Sequence, residues 1–316
     1  MKKMIMLAGI CLVLAGTLLF LFPQVRQHVP FYGRLRTVTV LLARNPLCSF
    51  SAASRNLSLV ACPFTKLGML WAKCVLRTKD ADGYEYWETP RGFFWTPPGL
   101  NHFAFIFLLA EMECAVYGSP ENEGVHSGDF VLDCGAHIGT YTRKALDSGA
   151  KLVVAIEPTP VNVVCLQRNF SKEIAEGRVI VYGKGIWNKD ETLTFYSSEQ
   201  TNLNSILQDK NIRTVETRIN VTTIDRIVSE LHLPRVDFIK MDIEGAEQNA
   251  LHGAKKSIVK YKPRMAIATE HTEDIFVNAQ KVSEIVASIN SGYQKECGEC
   301  NISKKGYLVP FVLFFH

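Results

Sequence analysis

Short apolar runs alternate with amphipathic segments along the chain from about residue 128 to its end. The apolar runs predict strands, and the segments between them have the periodicity of helices. The predicted strands are 130–132, 152–156, 179–182, 191–196, 236–241, 264–269 and 307–315, and the predicted helices are 140–148, 160–170, 223–230, 247–259 and 281–290. This alternation is typical of an α/β fold in which a mainly parallel sheet is covered by helices on both faces.

The chain before residue 118 has a different pattern. Residues 70–77 and 84–89 are rich in β-branched and aromatic side chains, and the turn-type sequence between them predicts a hairpin. A helix with an apolar stripe is predicted over 103–116. We therefore predict a stalk and a small β-hairpin/helix extension over 24–117, followed by the main domain over 118–316.

An uncharged run over residues 4–22 follows Lys2 and Lys3. Its length of about 19 residues approaches the roughly 20 that a membrane-spanning helix requires. A cleaved signal peptide would have a shorter apolar region and a cleavage site of small residues. We therefore predict that residues 1–23 are a single-pass membrane anchor. The positive charges on the two sides of the run are almost balanced, so the side of the membrane stays undecided.

Composition excludes several classes of protein. The 316 residues are 47% hydrophobic and 21% charged, with a net charge of +4. These values rule out a disordered chain, a collagen and a small disulfide scaffold. We find no concentrated basic patch, so nucleic acid is not a predicted partner.

The cysteines and glycosylation sequons leave the compartment open. Cys297 and Cys300 form a single CxxC motif, which is a weak metal signal without a second pair. They are predicted to form either a local disulfide or two free thiols. Four Asn-x-Ser/Thr sequons would be used only in a secretory lumen, and those at Asn169 and Asn220 lie within or beside predicted regular elements.

The first candidate site is the segment 133–139, where a strand, a glycine-bearing turn and a helix follow one another. Gly135 and Gly139 permit a close approach of the backbone to a ligand, and the helix that follows presents free N–H groups. His137 replaces the middle glycine of the dinucleotide fingerprint, which disfavours a pyrophosphate. Asp133 suits a ligand with an ammonium group, and the alternative is a tight turn that binds nothing.

The second candidate is Glu157, at the end of the next strand. A carboxylate at this position can accept hydrogen bonds from both hydroxyls of a ribose. The alternative is an acid that interacts with the start of a helix. A ligand with an amino acid at one end and a ribose at the other fits S-adenosylmethionine, which we predict as the cofactor.

The third candidate is the segment 238–247, in which Asp242, Glu244 and Glu247 follow a strand within six positions. A carboxylate here could remove a proton from an acceptor, and His271, after the next strand, could do the same near neutral pH. The alternative is a charged helix start with a structural histidine. A divalent metal on Asp242, Glu244 and His271 is a further possibility, but no metal is predicted.

The segments 133–139, Glu157-Pro158 and 239–247 together resemble the FkbM-type family of class I S-adenosylmethionine-dependent methyltransferases in their order and spacing. The resemblance extends from about residue 118 to the end of the chain. It implies a Rossmann-like fold with an antiparallel last strand and a hydroxyl acceptor on a sugar or small metabolite. No motif before residue 118 carries it, and His137 stands where the family often has asparagine.

The resemblance also implies roles for single residues. Cofactor binding falls on Asp133, Gly135, Ala136, His137, Gly139, Glu157 and Asp242, with Asp242 beside the transferring methyl. The strand-end residues themselves place the catalytic base among Asp242, Glu244 and His271. The adenine would lie near residues 183–187, where Trp187 packs either on the ring or in the core. The remaining alternatives are a non-catalytic scaffold, an N-methyltransferase and a nicotinamide-dependent oxidoreductase, which His137 argues against. The predicted partners are a small-molecule or glycan acceptor and a membrane, and the oligomeric state stays unknown.

Overall fold

The computed structural model describes residues 47–48, 62–121, 123–198, 204–205, 214–272, 274–302 and 308–316. The helices of these residues are α1 Cys62–Trp71, α2 His102–Glu113, α3 Thr140–Asp147, α4 Pro160–Asn169, α5 Ser171–Ala175, α6 Ile224–Glu230, α7 Glu247–His252, α8 Lys255–Tyr261 and α9 Ile275–Ile289.

The strands of the described residues are distributed over the whole of that part of the chain. They are β1 Val75–Lys79, β2 Glu85–Thr89, β3 Gly92–Thr96, β4 Phe130–Cys134, β5 Leu152–Ile156, β6 Val179–Tyr182, β7 Gly185–Ile186, β8 Glu191–Ser198, β9 Asn204–Ser205, β10 Thr214–Thr222, β11 Phe238–Met241, β12 Arg264–Ala268, β13 Lys295–Cys297, β14 Cys300–Ile302, β15 Leu308–Pro310 and β16 Val312–Phe315.

The central sheet has the order β13-β16-β12-β11-β4-β5-β6. Neighbouring strands from β12 to β6 are parallel, and β16 runs antiparallel to both β12 and β13. The prediction of a Rossmann-like, mainly parallel sheet with an antiparallel last strand is therefore confirmed. The order also places the carboxyl ends of β5, β4, β11 and β12 side by side at one edge.

The inner strands are buried on both faces because successive side chains point to opposite sides of a sheet. On β4, Leu132 and Cys134 belong to one apolar cluster, whereas Val131 belongs to the other. Asp133 lies between them in sequence, is fully buried and is paired in register with Lys240 of β11. A carboxylate and an ammonium group thus meet inside an otherwise apolar sheet.

A second, smaller sheet of order β7-β10-β8-β9 adjoins the first. Its strand β10 was not predicted, although Ile219 and Val221 are buried and the residues between and before them are exposed. The predicted helix over 247–259 is interrupted in the structure. Gly253 separates α7 from α8, and a side chain there would meet the Trp187 carbonyl oxygen at 2.2 Å.

The extension before β4 packs onto the α/β unit. The predicted hairpin is confirmed as β1 and β2, and a third strand, β3, pairs with β2. The helix α1 occupies part of the predicted stalk and the start of the predicted first strand. A disulfide between Cys62 and Cys114 joins the start of α1 to the end of α2. The domain boundaries at residues 23 and 117 stay predictions.

The CxxC motif does not form a local disulfide. Cys297 is bonded to Cys48, and Cys300 is a buried free thiol whose hydrogen points to the Gly298 carbonyl oxygen. The prediction of a local pair or of two free thiols is therefore wrong for Cys297. The Asn169 sequon serves the fold, because its side-chain amide donates to the Trp95 and Ile138 carbonyl oxygens.

The prediction of a single-pass membrane protein is corrected by the structure. None of the helices in the described ranges is both long and apolar enough to cross a bilayer. The run over 4–22, on which the prediction was placed, lies outside the described residues.

Candidate active site

A cavity of about 480 Å³ opens at the carboxyl edge of the central sheet. Six of the residues predicted from sequence line it, namely Gly135, His137, Glu157, Asp242, Glu244 and His271. The other three, Asp133, Ala136 and Gly139, are buried outside its lining. The strand-end rule therefore brings most of the predicted residues together around one space.

The turn after β4 fits tightly against the end of β11. Gly135 has φ +80°, and a side chain at this position would meet the Asp242 carbonyl oxygen at 1.9 Å. Only glycine combines this backbone angle with that close approach. The turn therefore lines the cavity with backbone.

Ala136 and Gly139 serve packing. Ala136 belongs to the apolar cluster on one face of the sheet. Gly139 has φ +94° at the start of α3, and a side chain there would meet the Phe170 ring at 2.2 Å. Both residues hold the turn against α4 and α5 without facing the cavity.

Glu157 is held in place by three donors. Its Oε2 accepts a hydrogen bond from the His137 backbone N–H at 3.0 Å, and its Oε1 accepts from the Thr159 N–H at 2.9 Å and the Asn162 side-chain amide at 3.2 Å. Glu157 as a whole is 6% exposed, and it lines the cavity. Its position is thus fixed in advance of any ligand.

Asp133 anchors Lys240 beneath the cavity. Asp133 Oδ1 lies 3.4 Å from Lys240 Nζ, and Asp133 Oδ2 accepts from the Thr142 hydroxyl at 2.6 Å. Lys240 Nζ also donates to the Gly135 carbonyl oxygen at 2.9 Å and lies 3.7 Å from Asp242 Oδ2. One buried ammonium group therefore ties the Gly135 turn to both aspartates.

Asp242 is kept ionised by its neighbours. Burial alone would raise the pKa of this carboxyl, but the charges of Lys240 and His271 and a hydrogen bond from Tyr117 outweigh it and lower the pKa. The Tyr117 hydroxyl donates to Asp242 Oδ2 at 2.7 Å. Asp242 is thus a fixed anion on the cavity wall.

Glu244 lies on a strained loop that Glu247 holds in shape. The Glu247 Oε1 accepts from the Ile243 and Gly245 backbone N–H groups at 3.0 and 3.3 Å. Glu244 itself has φ +55°, a left-handed conformation that is uncommon for a residue with a side chain. Burial, together with the charges of Asp242 and Glu247, raises the pKa of Glu244 to about 7.

His271 is a cation among carboxylates. Its Nε2 lies 3.4 Å from Asp242 Oδ1 and 3.7 Å from Glu244 Oε2, and its Nδ1 lies 3.5 Å from Glu247 Oε1. Burial lowers the pKa of the imidazole, but these carboxylates outweigh burial and raise the pKa to about 10. His271 is therefore charged at neutral pH and cannot accept a proton there.

The side of the cavity next to Glu157 is mainly apolar, although Asn162 and Lys184 also line it. Ile156, Pro158, Ile186 and Ile219 line it, together with the backbone of Gly185. Trp187 is outside the lining and packs against the small cluster of Ile219 and Val221. The structure thus places Trp187 in the packing of the second sheet.

Residues 133–298, more than half of the chain, match the sequence profile of the methyltransferase FkbM domain. The chain belongs to the FkbM methyltransferase family. The match begins at Asp133 of the cavity turn and includes Glu157 and the loop 242–247.

Two curated relatives of this FkbM-family chain match parts of it. It is 29% identical over 147 residues to Methyltransferase 1 of Beauveria bassiana, and this match covers 39% of the chain and 57% of the fungal protein. It is 24% identical over 159 residues to the AMB antimetabolite synthetase AmbE of Pseudomonas aeruginosa, with 39% of the chain and 7% of that protein covered. The chain thus spans little more than half of one relative and a small part of the other.

Solved structures of methyltransferases also resemble it. The FkbM methyltransferase of Methylobacillus flagellatus is 22% identical, with a TM-score of 0.44 over 68% of this chain and 54% of that one. The O-methyltransferase of Bacillus cereus in complex with SAH is 12% identical, with a TM-score of 0.34 over 59% of this chain and 73% of that one.

Sequence reasoning missed several residues of this FkbM-family site. Tyr117 and Glu111 belong to the extension, for which no motif was available, and both line the cavity. Lys240 lies in the predicted motif but was assigned no role, although a lysine inside an apolar strand is rare unless it is paired. That rarity is the signal that could have identified it.

The unliganded protein is expected to lose thermal stability as pH rises from 6 to 9. Burial raises the pKa of Glu111, Glu244 and Glu270 to about 8, 7 and 8, so the folded state holds protons that the unfolded chain releases. The stabilising charge on His271, with its pKa of about 10, is present below the ordinary value of 6.5 and is lost as pH rises through 10. All four groups act in the same direction.

Melting curves at pH 6 and pH 9 check this expectation. The melting temperature should be higher at pH 6, and the difference should be smaller in Glu111→Gln. Equal or rising melting temperatures between these pH values would show that these carboxyls titrate normally.

Proposed function

We propose that this chain transfers a methyl group from S-adenosylmethionine to a hydroxyl oxygen of a sugar or small metabolite. The observation that carries the proposal is that Glu157 and Glu244 face one cavity from different strand ends. Glu157 suits a ribose, and Glu244 suits the removal of a proton. Membership of the FkbM family supports the same reaction.

The cavity residues fit the donor. The Glu157 carboxylate would accept the ribose hydroxyls, and the apolar wall of Ile156, Ile186 and Ile219 would hold the adenine. The backbone of the Gly135 turn would approach the methionine portion, and the absence of a side chain lets this turn lie against the Asp242 carbonyl oxygen. When bound, S-adenosylmethionine supplies an electrophilic methyl group on a sulfonium.

Among the three predicted catalytic residues, Glu244 is the best base. With a pKa of about 7 it is partly ionised at neutral pH and still basic enough to take a proton from a hydroxyl. Asp242 has a lowered pKa and is a weaker base, and His271 already carries its proton. We therefore assign proton removal to Glu244 and the electrostatic support of its loop to His271.

Alignment supplies most of the rate in this proposal. When donor and acceptor are held side by side, the displacement behaves like a reaction within one molecule. This alignment is the largest contribution available to the rate of a bimolecular displacement. The Glu157 hydrogen bonds and the Lys240 link to the Gly135 turn fix the donor side before binding. The strained Glu244 loop fixes the acceptor side.

Replacing Glu157 by alanine should weaken donor binding by at least tenfold. Isothermal titration with S-adenosylmethionine measures the affinity, and Glu284→Ala, at an exposed position on α9, is the control. Three donors around Glu157 lose their acceptor in Glu157→Ala, so the fold of this variant has to be checked. A melting curve shows whether each variant is folded. Unchanged affinity in a folded Glu157→Ala protein contradicts the ribose assignment, and no heat with the unsubstituted protein favours a non-catalytic scaffold.

A further inference from the structure

The end of the cavity opposite Glu157 contains carboxyl groups that have no role in the proposed binding of the donor. Glu270 follows β12, whereas Glu157 follows β5, and β11 and β4 lie between these two strands. At a spacing of about 4.8 Å, three strand steps separate the two ends by roughly 14 Å. A ribose bound at Glu157 therefore leaves the end at Glu270 free for the acceptor.

Glu111 enters this same end from the extension. It lies on α2 and lines the cavity together with Phe103 and Phe107 of the same helix. Within the described residues, its carboxylate has neither a hydrogen bond nor an ion-pair partner. Burial is the main cause of its raised pKa; the charges of Asp242 and Glu299 act in the same direction, and those of Lys240 and His271 act against it.

The cations nearby have their closest contacts with other carboxylates. Lys240 lies within 3.7 Å of both Asp133 and Asp242. The closest contacts of His271 are with Asp242, Glu247 and Glu244, and its Nε2 is 3.8 Å from Glu270 Oε1. Behind the cavity, Glu299 is only 9% exposed, and its side chain has no ion pair in the described part of the chain. Burial raises the pKa of both Glu111 and Glu270 to about 8, so they are largely protonated in the unliganded protein at neutral pH, and an entering cation would favour their ionised forms.

The walls around these two carboxyl groups are apolar and aromatic. Leu100, Phe103, Ala104, Phe107 and Leu108 line the side that α2 and its preceding turn provide. An aromatic face attracts an organic cation as well as an alkyl group. A binding space with carboxylates on one side and phenyl rings on the other suits a positively charged group that carries carbon.

We propose that the methyl acceptor carries an organic ammonium group, which Glu111 and Glu270 bind while its hydroxyl is presented to Glu244. This inference rests on the proposed function and narrows the acceptor class to positively charged hydroxyl compounds, such as amino sugars or amino alcohols. Glu111 and Glu270 are specificity-determining residues in this scheme, and proton removal stays with Glu244.

Two probes of the same shape test the proposal. Choline and 3,3-dimethylbutan-1-ol both carry a hydroxyl. Choline has a positively charged nitrogen at the position where the alcohol has a neutral carbon. The protein is first saturated with S-adenosylhomocysteine, whose binding is measured by isothermal titration, and each probe is then titrated into the complex. We expect choline to bind at least tenfold more tightly than the neutral alcohol.

Matched variants show where the preference originates. Glu111→Gln and Glu270→Gln should each reduce the choline preference severalfold and leave S-adenosylhomocysteine affinity unchanged. Glu113→Gln, on the same helix but paired with Arg91, should retain the preference.

Each remaining outcome has a separate meaning. Equal binding of the two probes, or binding of neither to the S-adenosylhomocysteine complex, overturns the ammonium assignment alone. A large loss of S-adenosylhomocysteine affinity in Glu111→Gln also overturns it, because Glu111 would then hold the amino group of the donor product. Failure of S-adenosylhomocysteine to bind the unsubstituted protein refutes the proposed function itself.

Discussion

Replacing Glu244 by glutamine should lower kcat by roughly 10²–10⁴-fold, the usual contribution of a positioned base. Glutamine preserves the shape of the side chain but cannot take a proton from a hydroxyl. Because Glu157 and the Gly135 turn are untouched, donor affinity should stay within about twofold of the unsubstituted value, well below a tenfold change of 1.4 kcal/mol. Formation of S-adenosylhomocysteine, with the best acceptor from a panel of neutral and positively charged hydroxyl compounds, measures kcat.

The pH profile gives an independent check of the same assignment. The base acts in its ionised form, so kcat of the unsubstituted protein should rise with pH through about 7, the raised pKa of Glu244. It should fall again as His271 loses its charge near pH 10. In Glu244→Gln the rise near pH 7 should disappear, whereas Glu284→Gln, at an exposed position, should keep the full profile.

The outcome also separates oxygen from nitrogen as the methyl acceptor. An amine acceptor that binds in its neutral form needs no strong base, so an N-methyltransferase would lose little activity in Glu244→Gln. A variant that keeps more than about a tenth of the rate has lost less than the smallest usual contribution of a base. Such a result would argue against both the O-methylation proposal and the role of Glu244.

The sequence predicts the site well where the residues that face the cavity also form the turns and strand ends of the fold. The strand–turn–helix segment at Gly135 and the acids after β5 and β11 follow from the strand-end rule, and the sheet brings them together. The spacing alone could not distinguish cavity residues from supporting ones. Asp133 faces Lys240 beneath the cavity, and this distinction depends on the register between β4 and β11.

The roles of the titratable groups could not be predicted from sequence. A lone histidine near neutral pH is a reasonable base, but the carboxylates within 4 Å of His271 come from two segments of the chain and keep it protonated. The contribution of the extension was also hidden, since Glu111 and Tyr117 precede every motif. Only the packing of α2 and of the turn after it over the sheet edge places them in the cavity.

Replacing Lys240 by methionine should destabilise the protein by about 3–5 kcal/mol, the usual cost of removing one partner from a buried ion pair. Methionine fills much of the space of the lysine side chain, so the loss is mainly electrostatic. Asp133 is fully buried, and without Lys240 its charge would be compensated only by the Thr142 hydroxyl. Guanidinium unfolding at pH 7 measures the change in the free energy of unfolding.

A second substitution separates the charge from the packing. Asp133→Asn combined with Lys240→Met removes both charges and should recover a large part of the lost stability, because a neutral amide is cheaper to bury than an unpaired carboxylate. Lys255→Met, at an exposed position on α8, should change stability by less than about 0.5 kcal/mol. A double variant as unstable as Lys240→Met alone would show that the ammonium group does not act through Asp133.

The recovered double variant should still bind the donor poorly. Lys240 Nζ also donates to the Gly135 carbonyl oxygen and lies next to Asp242, so its loss frees the turn that lines the cavity. Stability and binding should therefore respond differently: the free energy of unfolding returns toward its original value, while S-adenosylmethionine affinity stays at least tenfold weaker. Full recovery of both would mean that the buried pair supports the sheet and that the Gly135 turn keeps its shape without the lysine.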